Sequence, residues 1–129
     1  MKNMKTKEIF ALAIQNHQKN NLQVAENLYK ETLKINPNHV DARNNLGIIF
    51  QALGEFQKAR SCYEKAIQIQ PEAYASYYNL GLVFKELGEL QKAVDCHQKA
   101  IQIQPNHVDA YNNLGIVFKE LGEHQKVIN

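Results

Sequence analysis

Cysteine, histidine and asparagine are the residues whose spacing in this sequence could support chemistry. Cys62 and Cys96 lie 34 residues apart, so a disulfide or a metal site has to be considered. Packed helices lie about 8–10 Å apart, whereas a disulfide needs Cα atoms within about 7 Å, so equivalent positions on neighbouring helical units do not favour a bridge. On a helix, the adjacent Cys96 and His97 face different directions, which argues against a shared metal ion.

No catalytic or cofactor motif accompanies these residues. The sequence has no phosphate-binding Gly-x-x-x-x-Gly-Lys-Ser/Thr loop, no Gly-x-Gly-x-x-Gly and no His-Glu-x-x-His. Its carboxylates are scattered over faces that the periodicity predicts to be solvated. We therefore expect no catalytic residues, no metal and no cofactor, and we interpret the histidines as structural or solvent-facing.

The charge and composition of the 129 residues further limit the classes of partner that we expect. Lys and Arg number 15 against 13 Asp and Glu, without any block of like charge, so a basic face for nucleic acid is not expected. No apolar stretch has the length of a membrane span or fits a secretory signal. Two cysteines are typical of a reducing compartment. The expectation is a cytoplasmic protein that binds neither nucleic acid nor membranes.

The elements that position the asparagines follow a repeat of 34 residues. Prolines recur at that interval, at Pro37, Pro71 and Pro105. Asn-Leu-Gly recurs with them at residues 45–47, 79–81 and 113–115. A period of this length is typical of a solenoid, in which each unit buries its apolar face against its neighbours.

Each unit is predicted to form two helices. Apolar residues follow helical spacing up to a left-handed turn residue, and a second helix then runs to the residue before each proline. The predicted turn residues are Asn20, Gly54, Gly88 and Gly122. Asn38 and Asn106 are the predicted N-caps, each followed three residues later by an aspartate.

The order of residues within each unit resembles the tetratricopeptide repeat, a helix–turn–helix repeat of this length. In the third unit the family pattern falls on Tyr77, Leu80, Gly81, Phe84, Ala93, His97, Ala100 and Pro105. The resemblance implies an all-α fold, a right-handed α-solenoid or superhelix. We expect a single array over residues 1–129, with repeats at about 6–39, 40–73 and 74–107 and a partial fourth at 108–129.

A second stripe on the first helix of each unit is the candidate binding surface, because in tetratricopeptide proteins this stripe faces the concave side of the superhelix. The candidate groove residues are Asn45, Asn79, Asn113, Ile48, Leu82, Ile116, Tyr78, Lys85 and Lys119. Asparagine carries donors and an acceptor, so a column of asparagines can pair with the peptide groups of an extended chain. The pattern resembles the asparagine ladder in the repeats of O-linked N-acetylglucosamine transferases.

Two interpretations of these asparagines stay open on sequence alone. Asn45, Asn79 and Asn113 could hold an extended peptide backbone, or they could bond to neighbouring turns and serve the fold. The carboxylate clamp that some tetratricopeptide domains use for acidic chaperone tails is not favoured. Such clamps carry Lys or Arg beside the asparagines, where this sequence has Asp109 or Ala75.

The fourth unit is predicted to leave an apolar stripe uncovered. The stripe consists of Tyr111, Leu114, Phe118 and Leu121. Only residues 124–129 follow the predicted turn at Gly122, which is too few to cover it. We therefore expect the stripe to be a self-association patch at the C-terminal end, most simply in a two-fold homodimer.

Taken with the resemblance, the sequence favours a non-catalytic protein–protein interaction module that binds a protein or peptide ligand, held as an extended segment in its groove. Two alternatives stay open. One is a substrate-recruiting fragment of a larger enzyme of the glycosyltransferase or sulfotransferase type. The other is a self-assembling structural scaffold.

Overall fold

The computed structural model describes residues 2–128, with side chains described for residues 5–123. Over this range the chain forms seven α-helices and no strand. The helices are α1 (Lys2–Gln18), α2 (Leu22–Ile35), α3 (Val40–Ala52), α4 (Phe56–Ile69), α5 (Tyr74–Glu86), α6 (Leu90–Ile103) and α7 (Val108–Ile128). The predicted all-α fold is confirmed.

The helices fall into two compact parts of the chain, called unit 1 and unit 2 from here on, and each contains more than one helix pair or part of a pair from the 34-residue repeats. Unit 1 is Met1–Gln70 and contains α1 to α4, and unit 2 is Pro71–Asn129 and contains α5 to α7. In unit 1, α1 packs on α2, α2 on α3 and α3 on α4. In unit 2, α5 packs on α6, and α7 contacts both of them. Each unit is thus built from successive packed helices, as in an α-solenoid.

The tight turns within the helix pairs confirm three of the predicted turn residues. Asn20, Gly54 and Gly88 have φ values of 64°, 75° and 77°. Glycine, and less readily asparagine, tolerates this left-handed conformation, which ends one helix and lets the chain reverse. After Gly54, the backbone N–H of Glu55 donates to the carbonyl of Phe50 at 2.8 Å and closes the turn.

The predicted turn at Gly122 is wrong. Helix α7 is continuous from Val108 to Ile128 and passes through Gly122. Chain reversal is favourable at Gly54 and Gly88 because a helix of 14 residues then packs on the first one. Gly122 keeps helical angles instead, because glycine permits a left-handed turn without imposing one, and a glycine within a helix costs only about 1 kcal/mol relative to alanine. The side chains of residues 124–129 lie outside the described part.

The predicted N-caps are also wrong by one residue. Helix α3 is capped by His39 rather than Asn38, and α7 by His107 rather than Asn106. In each case the imidazole Nδ1 accepts a hydrogen bond from the backbone N–H three residues later, at 3.1 Å and 3.0 Å. A neutral imidazole nitrogen therefore supplies the acceptor that the prediction assigned to the asparagine before it.

The core of two helix pairs places an aromatic ring directly on a glycine. A Cβ atom at Gly47 of α3 would lie 2.6 Å from the ring of Tyr63 in α4. A Cβ atom at Gly81 of α5 would lie equally close to the ring of His97 in α6. Both rings are fully buried, so any larger residue than glycine would force these helices apart.

Candidate functional site

The candidate groove residues of unit 2 lie on two helices that touch. Helix α5 carries Tyr78, Asn79, Leu82 and Lys85, and α7 carries Asn113, Ile116 and Lys119. Contact between α5 and α7 brings the two sets together. The four α5 residues and Asn113 are half-buried, whereas Ile116 and Lys119 are exposed.

Asn113 is the best-defined member of this set. Its Nδ2 donates to the Tyr78 hydroxyl at 3.0 Å and to the backbone carbonyl of Asp109 at 2.9 Å. Burial, reinforced by the Asp109 carboxylate, raises the pKa of Tyr78, and the bond from Asn113 opposes that shift. With both amide hydrogens engaged, Asn113 has its Oδ1 as the polar atom to offer a ligand.

The charged residues of this surface are balanced. Lys85 of α5 and Glu120 of α7 form an ion pair at 3.7 Å, and both side chains are partly exposed. An exposed pair of this kind contributes little to stability. It does offset the positive charge of Lys85 beside the groove residues, and Asp109 adds negative charge near Tyr78.

In unit 1, the candidate groove residues Asn45 and Ile48 lie on α3, both half-buried. Asn45 belongs to a polar cluster drawn from three helices. The Nδ1 atom of His17 in α1 lies 3.0 Å from the hydroxyl of Tyr29 in α2, and Asn45 also hydrogen-bonds to Tyr29. A cavity of about 290 Å³ lies over this cluster, lined by Ile14, His17, Gln18, Tyr29 and Asn45.

Burial shifts the titration of both rings in this cluster. It raises the pKa of Tyr29, and the hydrogen bond with Asn45 opposes that shift. Which of the Tyr29 hydroxyl and Nδ1 of His17 is the donor depends on the tautomer of the imidazole. Burial lowers the pKa of His17, which agrees with a neutral ring. The cavity in unit 1 therefore has a neutral polar floor.

His17 and Tyr29 were not predicted as site residues. A usable signal exists, because a polar residue 12 positions before a core aromatic recurs in the next repeat. There, Tyr63 donates to Oε1 of Gln51 at 2.7 Å. The spacing matches the turn of a helix pair, so it places the two side chains at the same end of the pair.

The residues of the predicted self-association patch lie along α7. Tyr111 and Phe118 are each 50% exposed, whereas Leu114 and Leu121 are half-buried. Gly115 lies between these two residues in the sequence, and apart from its own stretch of helix no atom of the described residues is within 4 Å of a Cβ atom built on it. This glycine therefore faces open space, unlike Gly47 and Gly81.

The described residues form neither a membrane-spanning helix nor a group of metal ligands. None of their helices combines the length and the apolar character needed to cross a bilayer. Within the same part of the chain, no three His, Cys, Asp or Glu side chains are grouped as metal ligands would be.

Comparison with known proteins places these features in a family. The family model described as tetratricopeptide repeat matches residues 9–72, 40–106 and 72–129. No curated protein matches the sequence.

Several solved structures share the fold. The MamA protein is 30% identical, with a TM-score of 0.84 over 95% of this chain and 67% of that one. The first TPR of Spaghetti (RPAP3), bound to the HSP90 peptide SRMEEVD, is 18% identical, with a TM-score of 0.90 over 92% of this chain and 94% of that one. An O-GlcNAc transferase mutant of Thermobaculum terrenum is 20% identical, with a TM-score of 0.85 over 91% of this chain and 22% of that one. At such identities the last two establish similarity of fold alone.

Proposed function

This chain belongs to the tetratricopeptide repeat family, and from that premise we propose that it is a non-catalytic interaction module. Its ligand is an extended peptide segment, bound along the first helices of the repeats. Each unit contributes its own part of the binding surface.

The surface shared by α5 and α7 is the observation that carries this proposal. Asn113 is fixed by its bonds to Tyr78 and Asp109, so its Oδ1 can accept a hydrogen bond without first being ordered. One helical turn further on, Ile116 is 45% exposed. An ordered acceptor next to an exposed aliphatic side chain suits a peptide that donates a backbone N–H and packs an apolar side chain beside it.

Unit 1 has a candidate contact surface of its own, the cavity over its polar cluster. Its volume of about 290 Å³ is at the lower end of ligand pockets and suits one side chain rather than a cofactor. Ile14 offers an apolar wall, and His17 and Asn45 offer neutral polar groups. An uncharged side chain with an apolar stem fits this lining.

The charges argue against an acidic peptide as the ligand of unit 2. The peptide bound by the RPAP3 repeat contains two glutamates and an aspartate. In unit 2 of this chain, Lys85 is paired with Glu120, and Asp109 lies beside Tyr78. We therefore propose a peptide without carboxylates at the segment that contacts Tyr78 and Asn113.

Selection from a random peptide display library, followed by fluorescence polarisation with one selected peptide, tests the proposal. Asn113→Ala should weaken binding about 2- to 13-fold, the equivalent of one net hydrogen bond of about 0.5–1.5 kcal/mol. Ile116→Ala should weaken it as well. Gln98→Ala, on the exposed side of α6, is the control and should bind normally. Equal affinities in all four proteins would place the binding surface elsewhere.

A second candidate function, self-association through α7, is favoured by a specific observation. Phe50 and Phe84 are 6% and 5% exposed beneath their second helices, whereas the equivalent Phe118 is half exposed beside the open Gly115. A ring from the α7 helix of a second copy can cover Gly115 as Tyr63 covers Gly47. Because such a contact uses the same patch on both copies, it produces a two-fold dimer.

Sedimentation equilibrium over a range of concentrations tests this second candidate. Phe118→Glu should convert a concentration-dependent dimer into a monomer, because a charge on the patch cannot be buried without a partner. Leu12→Glu, at an equally exposed leucine of α1, is the matched control and should leave the mass unchanged. A wild-type chain that stays monomeric at the highest concentration would contradict the proposal.

A further inference from the structure

His97 occupies a core position that carries tyrosine in the two preceding repeats. Tyr29, Tyr63 and His97 follow one another at intervals of 34 residues, and all three side chains are fully buried. The hydroxyl groups of the tyrosines lie against Nδ1 of His17 and Oε1 of Gln51. The imidazole of His97 has the same place in its helix pair but a different polar chemistry.

Neither ring nitrogen of His97 has a hydrogen-bond partner among the described residues. The ring lies directly against Gly81, where a Cβ atom would be 2.6 Å from the ring carbon between the two nitrogens. At the register of Gln51, helix α5 carries Lys85, which pairs with Glu120 instead. A buried polar atom without a partner is unfavourable even when neutral, and a buried charge is far more so.

The groups that face His97 come from every element packed on α6. From α5, Tyr78 places its ring centroid 5.7 Å away, and Lys85 contributes a positive charge. His107, in front of α7, lies 4.8 Å from the Tyr78 ring and, when protonated, disfavours a charge on His97. The nearby carboxylates of α7 are engaged elsewhere, since Asp109 acts on Tyr78 and Glu120 pairs with Lys85. Burial, followed by His107 and Lys85, lowers the pKa of His97 to about 4.

A charged His97 cannot keep its place without disturbing the candidate groove. Its ring packs on Tyr78, and the Tyr78 hydroxyl accepts the hydrogen bond that orients Asn113. Movement of the imidazole toward water must displace Tyr78 or separate α5 from α6, and either change removes the ordered Asn113 oxygen.

We propose that His97 makes the α5–α6 helix pair an acid-responsive element, which opens as the pH falls below neutral and releases whatever is bound at Tyr78 and Asn113. The release step rests on the proposed function, whereas the opening of the helix pair does not.

The pH range follows from the two protonation states. In the open form the His97 pKa returns to its ordinary value of 6.5, and in the packed form it is about 4. Between these values the open form binds one proton more, so the packed form is fully stable above pH 6.5 and loses stability as the pH falls toward 4. One proton taken up per opening event changes the opening equilibrium by up to about tenfold per pH unit.

Amide hydrogen exchange on the full chain, without any peptide, tests the opening. After correction for the intrinsic pH dependence of exchange, protection of the α5 and α6 amides should fall about 15-fold between pH 6.5 and pH 5. His97→Phe keeps a buried ring and removes the titrating nitrogens, so its protection should be nearly constant over the same range. His17 in unit 1 also has a pKa lowered by burial, and the comparison of variants at position 97 separates its contribution.

Tyr63→His is the reciprocal variant, because it places an imidazole on Gly47 in the equivalent pair of unit 1. The α3 and α4 amides of this variant should lose protection more steeply in acid than those of the wild type, in which His17 is the buried histidine of unit 1. If wild type and His97→Phe lose protection in parallel, the acid-responsive element does not involve His97 and the proposal is overturned.

A second measurement addresses release. Affinity for a display-selected peptide should fall between pH 7 and pH 5 in the wild type and hold in His97→Phe. If exchange behaves as expected but both proteins keep their affinity at pH 5, the regulation of binding is overturned. In that case the peptide site lies away from Tyr78 and Asn113, and the opening of the helix pair stands.

Discussion

Helices α3 and α7 carry nearly the same residues on the same face, but among the described residues only α3 has a second helix packed on that face. Both begin Val-Asp-Ala, continue through Asn-Asn-Leu-Gly and reach a phenylalanine three residues after the glycine. In α3 that phenylalanine is buried under α4, and in α7 it is half exposed. The burial of a repeat residue is therefore a property of the neighbouring helix as much as of its own sequence.

The glycines of α3 and α7 show the same contrast at the level of single atoms. At Gly47 the Tyr63 ring occupies the space that a side chain would need, whereas at Gly115 no described residue occupies that space. An identical Asn-Leu-Gly segment thus serves close helix packing in one place and an open surface in another. Variants at matched positions of α3 and α7 measure how much of the stability of a repeat comes from this covering helix.

The largest difference is expected for the two phenylalanines. Phe50→Ala should lower the free energy of unfolding by about 3–5 kcal/mol, because it leaves a cavity beneath α4. Phe118→Ala should lower it by only about 1 kcal/mol, because half of the ring is already in water. Urea denaturation at low protein concentration measures both. A loss at Phe118 that matches Phe50, and that grows with protein concentration, would show that a second copy covers α7.

The glycines should give effects of opposite sign. Gly47→Ala places a methyl group against the buried Tyr63 ring, so we expect a net loss of about 1–2 kcal/mol after the gain in helix propensity. The methyl group of Gly115→Ala meets no atom of the described residues and should stabilise α7 by about 0.5–1 kcal/mol. Thermal unfolding of the two variants measures the sign and the size of each effect. Destabilisation by Gly115→Ala would mean that the space above this glycine is occupied in solution.

Much of this fold was accessible from the sequence because its signals are local. A proline after each second helix and a left-handed turn residue inside each pair mark helix ends through backbone sterics alone, as at Gly54 and Gly88. The same reasoning failed at Gly122, because glycine permits a left-handed turn without imposing one, and α7 stays helical through this residue. It also failed at the N-caps, where His39 supplies an acceptor usually provided by shorter side chains.

The candidate site was accessible only in part. Helical periodicity places Asn45 and Asn113 on one face of their helices, but the partners of their side chains come from tertiary contacts. Asn113 donates to the hydroxyl of Tyr78, which lies 35 residues earlier in the sequence. The residue 35 positions before Asn45 is Phe10, which has no hydroxyl group, and Asn45 bonds to Tyr29 instead. The choice depends on which neighbour carries a hydroxyl group, which no single repeat reveals.

The N-caps of α3 and α7 should contribute equally to stability, whereas the apolar faces of the two helices should not. His39→Ala and His107→Ala each remove an N-cap acceptor and a ring packed on an aromatic, Phe10 in one case and Tyr78 in the other. We expect each to cost about 1 kcal/mol, the usual value of a lost cap. Chemical denaturation of both variants at pH 7.5 provides the measurement. A much smaller loss for His107→Ala would show that α3 and α7 differ in the strength of their N-caps as well as in the burial of their apolar faces.

The smallest effect concerns the bond between Asn113 and Tyr78. Asn113→Ala and Tyr78→Phe should each lower the free energy of unfolding by about 0.5–1 kcal/mol, because each removes one partner of a half-buried hydrogen bond. Tyr78→Phe keeps the ring that packs on His97 and His107. If the bond is present in solution, the double variant should lose less than the sum of the single losses, by about 0.5 kcal/mol. Strict additivity would mean that Asn113 keeps its amide free for a ligand, as the asparagine-ladder interpretation requires, and that only its bond to Asp109 holds it in place.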